Sequence, residues 1–257
     1  MAGYHPAKIV ARQLVSPTVI VLDLEVKSST FKFQSGQWLD FMVPPFEWVG
    51  GFSPASLPRD LPKISIAVKR SNHPPSQWVH SDESKAIGRD VKVQVGGSCI
   101  LDAKNLDTQP VVFCAGGVGI SPLLSMYRQW TQLQQENLIR RTDTSPKAYF
   151  LYSVSSEEEL VFEDELVQLG ANTDARKRHE IILTLTRQST WNEQAKSRLE
   201  SQGVQCRTGR YLKEFLLGAN VNSAFYICGP PSMLDEGVSL LQKRGVSREN
   251  LHFERWW

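Results

Sequence analysis

The sequence predicts two domains in tandem: a small antiparallel β-barrel, then an α/β domain built on a mostly parallel sheet. Three observations carry this. The chain has 257 residues, and at a prior of ~150 residues per domain that length favours two cores over one. From Lys8 to Asp102 it reads as β-branched and alternating runs separated by Pro and Gly turns, the texture of a small barrel. From Gln109 onward strand and helix patterns alternate, which calls for a parallel sheet with helices on both faces. The boundary is expected in the polar segment 103–109, giving domains 1–105 and 106–257.

In the first half, residues 9–15 and the β-branched run 19–26 predict the opening strands. Residues 37–43 follow Gly36 and stop at Pro44-Pro45. Residues 63–69 alternate, with Ile64, Ile66 and Val68 on one face, and Val91, Val93 and Val95 repeat the pattern before Gly96-Gly97. Segments 44–62 and 70–88 carry no periodicity, apart from a short helix expected near 76–80.

The second half opens with four apolar residues, 111–114, suited to a strand buried on both faces. Gly116, Gly117 and Gly119 follow, and a backbone without Cβ lets phosphate oxygens reach the N–H groups of a helix N-terminus. Ser121 is expected as the N-cap and Pro122 as the first helical residue. The spacing Gly117-x-Gly119-x-x-Pro122 is not the Rossmann Gly-x-Gly-x-x-Gly, so alone it reads equally as a tight strand–helix turn. Further strands are predicted at 147–153, 179–186 and 224–228, and helices at 157–169, 192–202, 210–217 and 231–244. Ligands of an open parallel sheet sit outside the carboxyl ends of its strands, so Cys228 and the glycine loop should face one crevice. Two readings stand for Cys228: a small buried hydrophobe, or a group that touches the ligand.

Composition excludes several classes. A net charge of +2 gives no electrostatic footprint for nucleic acid or an anionic membrane. No apolar run approaches the ~20 residues of a membrane-spanning helix. Cys99, Cys114, Cys206 and Cys228 show no Cys-x-x-Cys and no cluster spacing, which argues against iron–sulfur and structural zinc sites and for a reducing, intracellular setting. Residues 1–16 hold Lys8 and Arg12 without an acid, as transit peptides do, but 9–15 reads better as a strand.

Five segments in order carry a resemblance. Ala-Gly-Gly-Val-Gly-Ile-Ser-Pro (115–122), Phe-Leu-Tyr-Ser-Val (150–154), Thr-Leu-Thr-Arg (184–187), Gly-Arg-Tyr (209–211) and Tyr-Ile-Cys-Gly-Pro-Pro (226–231) resemble the ferredoxin–NADP⁺ reductase-like superfamily. Within it, Val-Gly-Gly-Phe-Ser (49–53), Asn-His-Pro-Pro (72–75) and the terminal Phe-Glu-Arg-Trp-Trp resemble the oxidoreductase NAD-binding domain-containing protein group. The resemblance implies a flavin-binding barrel, an NAD(P)-binding α/β domain and a mitochondrial location.

The superfamily holds flavin through Arg-x-Tyr-Ser/Thr and Gly-x-x-Ser. Carried onto this chain, Phe52 takes the aromatic place and Ser53 the hydroxyl place, while Gly50 stands where the arginine belongs. His73-Pro74-Pro75-Ser76 replaces the second motif, and its prolines remove two backbone donors. Both departures weaken the hold on flavin pyrophosphate. Lys69 or Arg70 is expected to supply a cation there, and an arginine restored at position 50 to tighten binding. The expected cofactor is FAD, or FMN.

In the second domain the resemblance gives the nicotinamide dinucleotide to Gly116, Gly117, Val118, Gly119, Ser121, Pro122, Ser153, Gly229 and Pro230. Cys228 would pack beside the nicotinamide with Ser53 across from it. Glu254 resembles a carboxylate that relays protons in some relatives; its other reading is a solvated terminal charge. Trp256 and Trp257 would cover the flavin ring or close the last strand.

The expectation is a flavin-dependent NAD(P)H oxidoreductase, passing hydride from nicotinamide to flavin and electrons to a separate protein, quinone or small molecule. The rival is an NAD(P)H-binding sensor without turnover, which the altered flavin motifs favour. No acid ends the second strand of the α/β domain, so nothing there would repel a 2′-phosphate. Thr186-Arg187 at the end of the next strand resembles the Thr/Ser-Arg pair that contacts the 2′-phosphate in NADP-dependent relatives, and the resemblance implies NADPH over NADH; the other reading of Arg187 is a surface loop cation.

Overall fold

A computed structural model describes residues 3–81, 87–102, 106, 108–136, 148–171 and 179–255. Six strands form the first sheet: β1 (His5–Ser16), β2 (Val19–Val26), β3 (Trp38–Val43), β4 (Trp48–Phe52), β5 (Lys63–Lys69) and β6 (Asp90–Gly96). Their order is β4-β3-β6-β1-β2-β5, with every pairing antiparallel. The period of two sends Ile20, Leu22, Leu24, Ile64, Ile66, Val68, Val91 and Val93 into one core. The sheet curls until its edges meet: Pro54, just past β4, bridges Ile66 of β5, and the Ala55 N–H donates to the Ser65 carbonyl at 2.8 Å. This contact covers part of both edge strands. The short helix expected near 76–80 is α1 (Pro74–Ser81), which buries Val79 in the barrel core.

The second sheet comprises β7 (Val111–Gly116), β8 (Ala148–Val154), β9 (His179–Leu185), β10 (Val204–Thr208), β11 (Ala224–Cys228) and β12 (Leu251–Phe253). All are parallel, in the order β10-β9-β8-β7-β11-β12. Helices α2 (Ile120–Gln135), α3 (Glu163–Ala171), α4 (Glu193–Ser201), α5 (Tyr211–Gly218) and α6 (Pro231–Lys243) cover it. β7 divides its side chains between the two faces. Val111, Phe113 and Ala115 join Leu123, Tyr127 and Trp130 of α2, while Val112 and Cys114 join Leu216 of α5 and Leu234, Val238 and Leu241 of α6. Chain order reverses at β7, so the topological switch point lies between β7 and β11. Among the described residues no helix is long and apolar enough to cross a membrane.

Three local expectations change. A 3₁₀ turn (Gly117–Gly119) precedes α2, whose N-cap is Gly119, so Ser121 and Pro122 are its second and third residues. Proline is tolerated there because first-turn N–H groups have no partner inside the helix. The helix expected at 157–169 is broken into a 3₁₀ turn (Glu157–Glu159) and α3. Between them Val161 is drawn into a cluster with Val19 and Ala67 of the barrel, and Phe162 adopts φ 58°. The helix expected from 192 has Asn192 as its cap instead, Oδ1 accepting from the N–H groups of Gln194 and Ala195 at 3.0 and 3.2 Å. Residues 103–105, 107, 256 and 257 lie outside the described residues, and with them most of the expected linker and both terminal tryptophans.

The halves meet along a seam of buried hydroxyls. Ser125 Oγ of α2 donates to the Ser56 carbonyl at 2.7 Å and lies 3.0 Å from Ser35 Oγ. Arg128 Nη1 donates to the Ala55 carbonyl at 3.1 Å, and Ala55 itself is buried in the α/β core. Thr18 Oγ1 donates to Glu159 Oε2 at 2.6 Å.

Candidate functional site

The carboxyl ends of β7 and β11 meet glycine against glycine. A Cβ added at Gly119 would lie 2.5 Å from the Cys228 carbonyl carbon and 2.8 Å from the Gly229 nitrogen. One at Gly229 would lie 3.1 Å from Gly116 Cα, and one at Gly116 2.6 Å from Met233 Sδ. Side chains do not tolerate such approaches, so these loops need glycine to pack on each other. Gly117 is different. Its φ is +53°, and an added Cβ would meet nothing within 4 Å, so its backbone stands bare. Val118 is half-buried against Val19 and Ala67 of the barrel.

Over this junction lies a cleft of about 420 Å³. Gly116, Gly117 and Pro230 line its inner end, Ser153 and Arg187 the strand ends, and Lys69 enters from the barrel. Arg187 is placed by its own N–H, which donates to the Ser155 carbonyl at 3.0 Å, tying the end of β9 to that of β8. Arg210 just before α5, Lys213 of α5 and Glu236 of α6 complete the outer end, and Glu159 adds a second acid. Four cations against two carboxylates make a site for a polyanion. The buried Ser121 hydroxyl, at the start of α2, has no hydrogen-bond partner among the described residues.

Cys228, Cys99 and Glu254 gather where the barrel's exit meets β11 and β12. The Glu254 Oε1 accepts from the N–H groups of Ser98 and Cys99 at 3.0 and 3.2 Å. It is therefore a latch on the segment leaving the barrel, not a solvated terminal charge. Burial, then the neighbouring Glu254 and Cys228, push the Cys99 thiol up to about 12. Cys228 is also buried. Beside them the Asp102 N–H donates to Tyr226 Oη at 3.0 Å, and the Tyr226 ring stacks on His252 at 4.4 Å.

His252 and His80 of α1 are both held below histidine's ordinary value of 6.5, chiefly by burial; Asp102 opposes this for His252, and a bond to the Val68 carbonyl opposes it for His80. A depressed folded value contributes stability above the unfolded value, and that contribution is lost as pH falls through the folded one. The melting temperature should therefore drop as pH falls below 6.5. A His80→Gln, His252→Phe double variant, which keeps a donor and a stacked ring, should show a flatter acid limb. An unchanged acid limb would refute this.

At the barrel's other site residues the structure departs further from expectation. The Gly50 position is filled: an added Cβ would meet Phe52 Cε2 at 2.9 Å and His73 Cε1 at 3.2 Å. An arginine placed there would have to move the tips of both rings. The Ser76 hydroxyl is spent within the turn, donating to the Lys69 carbonyl at 2.7 Å and accepting from the Ser71 N–H at 3.0 Å. Lys69, expected at the flavin phosphates, lines the switch-point cleft instead. Phe52 is half-buried, edge-on to Phe41 at 5.9 Å, and Ser53 follows it into the segment that crosses to α2.

Sequence reasoning missed Cys99, Arg210, Lys213, Met233 and Glu236. A signal existed for part of this. Met233, Glu236, Gly237 and Leu240 recur at i, i+3, i+4 and i+7, one helical face, and all four line the cleft. Only the sheet order tells which way that face looks.

A family model for the oxidoreductase NAD-binding domain matches residues 113–238. The chain is 36% identical over 257 residues to oxidoreductase NAD-binding domain-containing protein 1 of Pongo abelii, covering 98% of this chain and 79% of that protein. It is 30% identical to ferredoxin–NADP reductase B of Sorangium cellulosum over 261 residues, covering 97% of this chain and 96% of that one. Among solved structures, a ferredoxin–NADP⁺ reductase from Neisseria gonorrhoeae with bound FAD and NADP superimposes with a TM-score of 0.74 at 19% identity, covering 99% of each chain. An Amycolatopsis cytochrome P450 reductase gives 0.78 at 18% identity, covering 98% of this chain and 69% of that one. With the barrel, the parallel sheet and the switch-point cleft already described, these likenesses decide the family: the chain belongs to the oxidoreductase NAD-binding domain-containing protein 1 family of ferredoxin–NADP⁺ reductase-like pyridine-nucleotide oxidoreductases.

Proposed function

We propose that this chain is a flavin-dependent NAD(P)H oxidoreductase that passes hydride from the nicotinamide to a flavin and electrons onward to a separate protein, quinone or small molecule. The observation that carries the reading is the switch-point cleft, which the bare Gly117 backbone lines together with four cations. Its residues fit a dinucleotide: glycine N–H groups for pyrophosphate at the start of α2, and arginines for further phosphate.

The flavin, when bound, supplies the hydride acceptor and delivers electrons onward. Its ring end is matched by Phe52 and Ser53, at the crossing from barrel to α2. Its phosphate end departs from the superfamily pattern, and the His73 imidazole is the group beside Gly50. Cys228 positions the nicotinamide, and close positioning is the protein's main share of the work. Burial keeps Cys99 a thiol, so it acts by packing and not as a nucleophile. Glu254 holds the barrel exit against β12 and fixes the distance between the two halves of the site. The carrier is FAD, with FMN as its alternative.

The altered phosphate end supports a second reading, an NAD(P)H-binding sensor without flavin. Visible absorbance of the purified protein, before and after reconstitution with FAD or FMN, separates the two. Folded protein that takes up neither flavin at high concentration would sink the oxidoreductase reading and leave the sensor.

NADPH is the preferred dinucleotide on this reading, through Arg187. A charge-assisted contact is worth ~1.5–3 kcal/mol, so Arg187→Ala should weaken NADPH roughly ten- to hundredfold and spare NADH. Equal losses for both would remove Arg187 from the 2′-phosphate.

A further inference from the structure

The cations at the outer end of the cleft already have an anion on them. Glu236 lies 3.5 Å from Arg210 Nη1 and 3.9 Å from Lys213 Nζ, and all three line the cleft with Arg187. Glu236 is held there by its helical face, since Met233 one turn earlier abuts Gly116. The position along the sheet matters. Arg187 follows β9 and Arg210 follows β10, two and three strands out from the glycine loop. At a strand spacing of ~4.8 Å these ends lie roughly 10–14 Å from that loop, over which an adenosine would extend from its pyrophosphate.

The pair is not a stability device. Side-chain exposure is 83% for Arg210 and 41% for Glu236, and exposed ion pairs contribute little to folding. Such a pair exchanges readily for a better anion. We propose that Glu236 is a specificity-determining residue of the dinucleotide site: it competes with a ribose 2′-phosphate for Arg210 and Lys213. It thereby holds back the preference for phosphorylated dinucleotide that Arg187 supports. This rests on the dinucleotide reading of the cleft and concerns only its selectivity.

The test is calorimetric titration of the full chain with 2′,5′-ADP, 5′-ADP, NADPH and NADH. The proteins are wild type, Glu236→Gln, Glu236→Lys and Asp235→Asn, with melting curves to show each is folded. Removing a unit charge a few ångströms from a solvated phosphate is worth ~1 kcal/mol, so Glu236→Gln should tighten 2′,5′-ADP and NADPH about fivefold and leave 5′-ADP and NADH unchanged. Glu236→Lys should go further in the same direction. Asp235 pairs with Arg255 at 2.6 Å and does not line the cleft. Its neutralisation alters net charge equally and should change neither ratio. Unaltered selectivity in both Glu236 variants overturns the proposal, as does an equal gain for all four ligands or the same shift from Asp235→Asn. Wild-type protein that binds none of the four removes the dinucleotide site itself, and the selectivity proposal with it.

Discussion

Gly119→Ala should destabilise the protein by about 3 kcal/mol and lower Tm by roughly 6–12 °C, the scale of overpacking where backbone cannot yield. The added methyl would lie 2.5 Å from the Cys228 carbonyl carbon and 2.8 Å from the Gly229 nitrogen. Both belong to the main chain at the end of a buried strand, so no rotamer change relieves the contact. Gly117→Ala makes the informative contrast. Its left-handed backbone costs a side chain about 1–2 kcal/mol, but the methyl meets nothing within 4 Å. That variant should melt only a few degrees lower yet lose dinucleotide affinity by about tenfold or more, because the bare backbone is what a phosphate approaches. Thermal melts and dinucleotide titrations read the two separately. Wild-type stability in Gly119→Ala would mean that the β7 and β11 loops do not pack as described.

Glu254→Ala should cost about 2–3 kcal/mol, since it removes a charged acceptor from two backbone donors. Glu254→Gln keeps an oxygen in place and should recover much of that loss. The pair separates latch from proton relay. A latch predicts that Ala is worse than Gln in Tm and that turnover follows Tm. A relay predicts that Gln melts near wild type with turnover abolished. Near-equal melting of Ala and wild type would remove the latch.

Legibility followed the range of the causes. The alternation of β5 and the apolar run of β7 are set by burial of their own residues, so both were readable and both stand. β4 was not, because Gly50-Gly51 gives no strand propensity and its partner β3 supplies the order. The break at Val161 was invisible for a similar reason: the helical pattern there is sound locally, and the barrel's Val19 and Ala67 override it. Within the site, the glycine loop and the end of β11 announced themselves by residue type. Glu236 on Arg210 and Glu254 on Ser98 did not, being 26 and 156 residues apart in the chain. Gly50 reads in sequence as a missing arginine, and only the fold brings the ring tips of Phe52 and His73 beside it.

The hydroxyl seam bears on how this chain can be cut. Ala55 belongs to the barrel by sequence and to the α/β core by burial, while the Ser125 hydroxyl meets the barrel's Ser56 and Ser35. Excising the α/β half would strand that hydroxyl and strip the cover from Val161; excising the barrel would bare Val19 and Ala67. Neither piece is a portable module. A chimera that swaps one half for a relative's must carry the 55–56 tongue across with the helix it plugs.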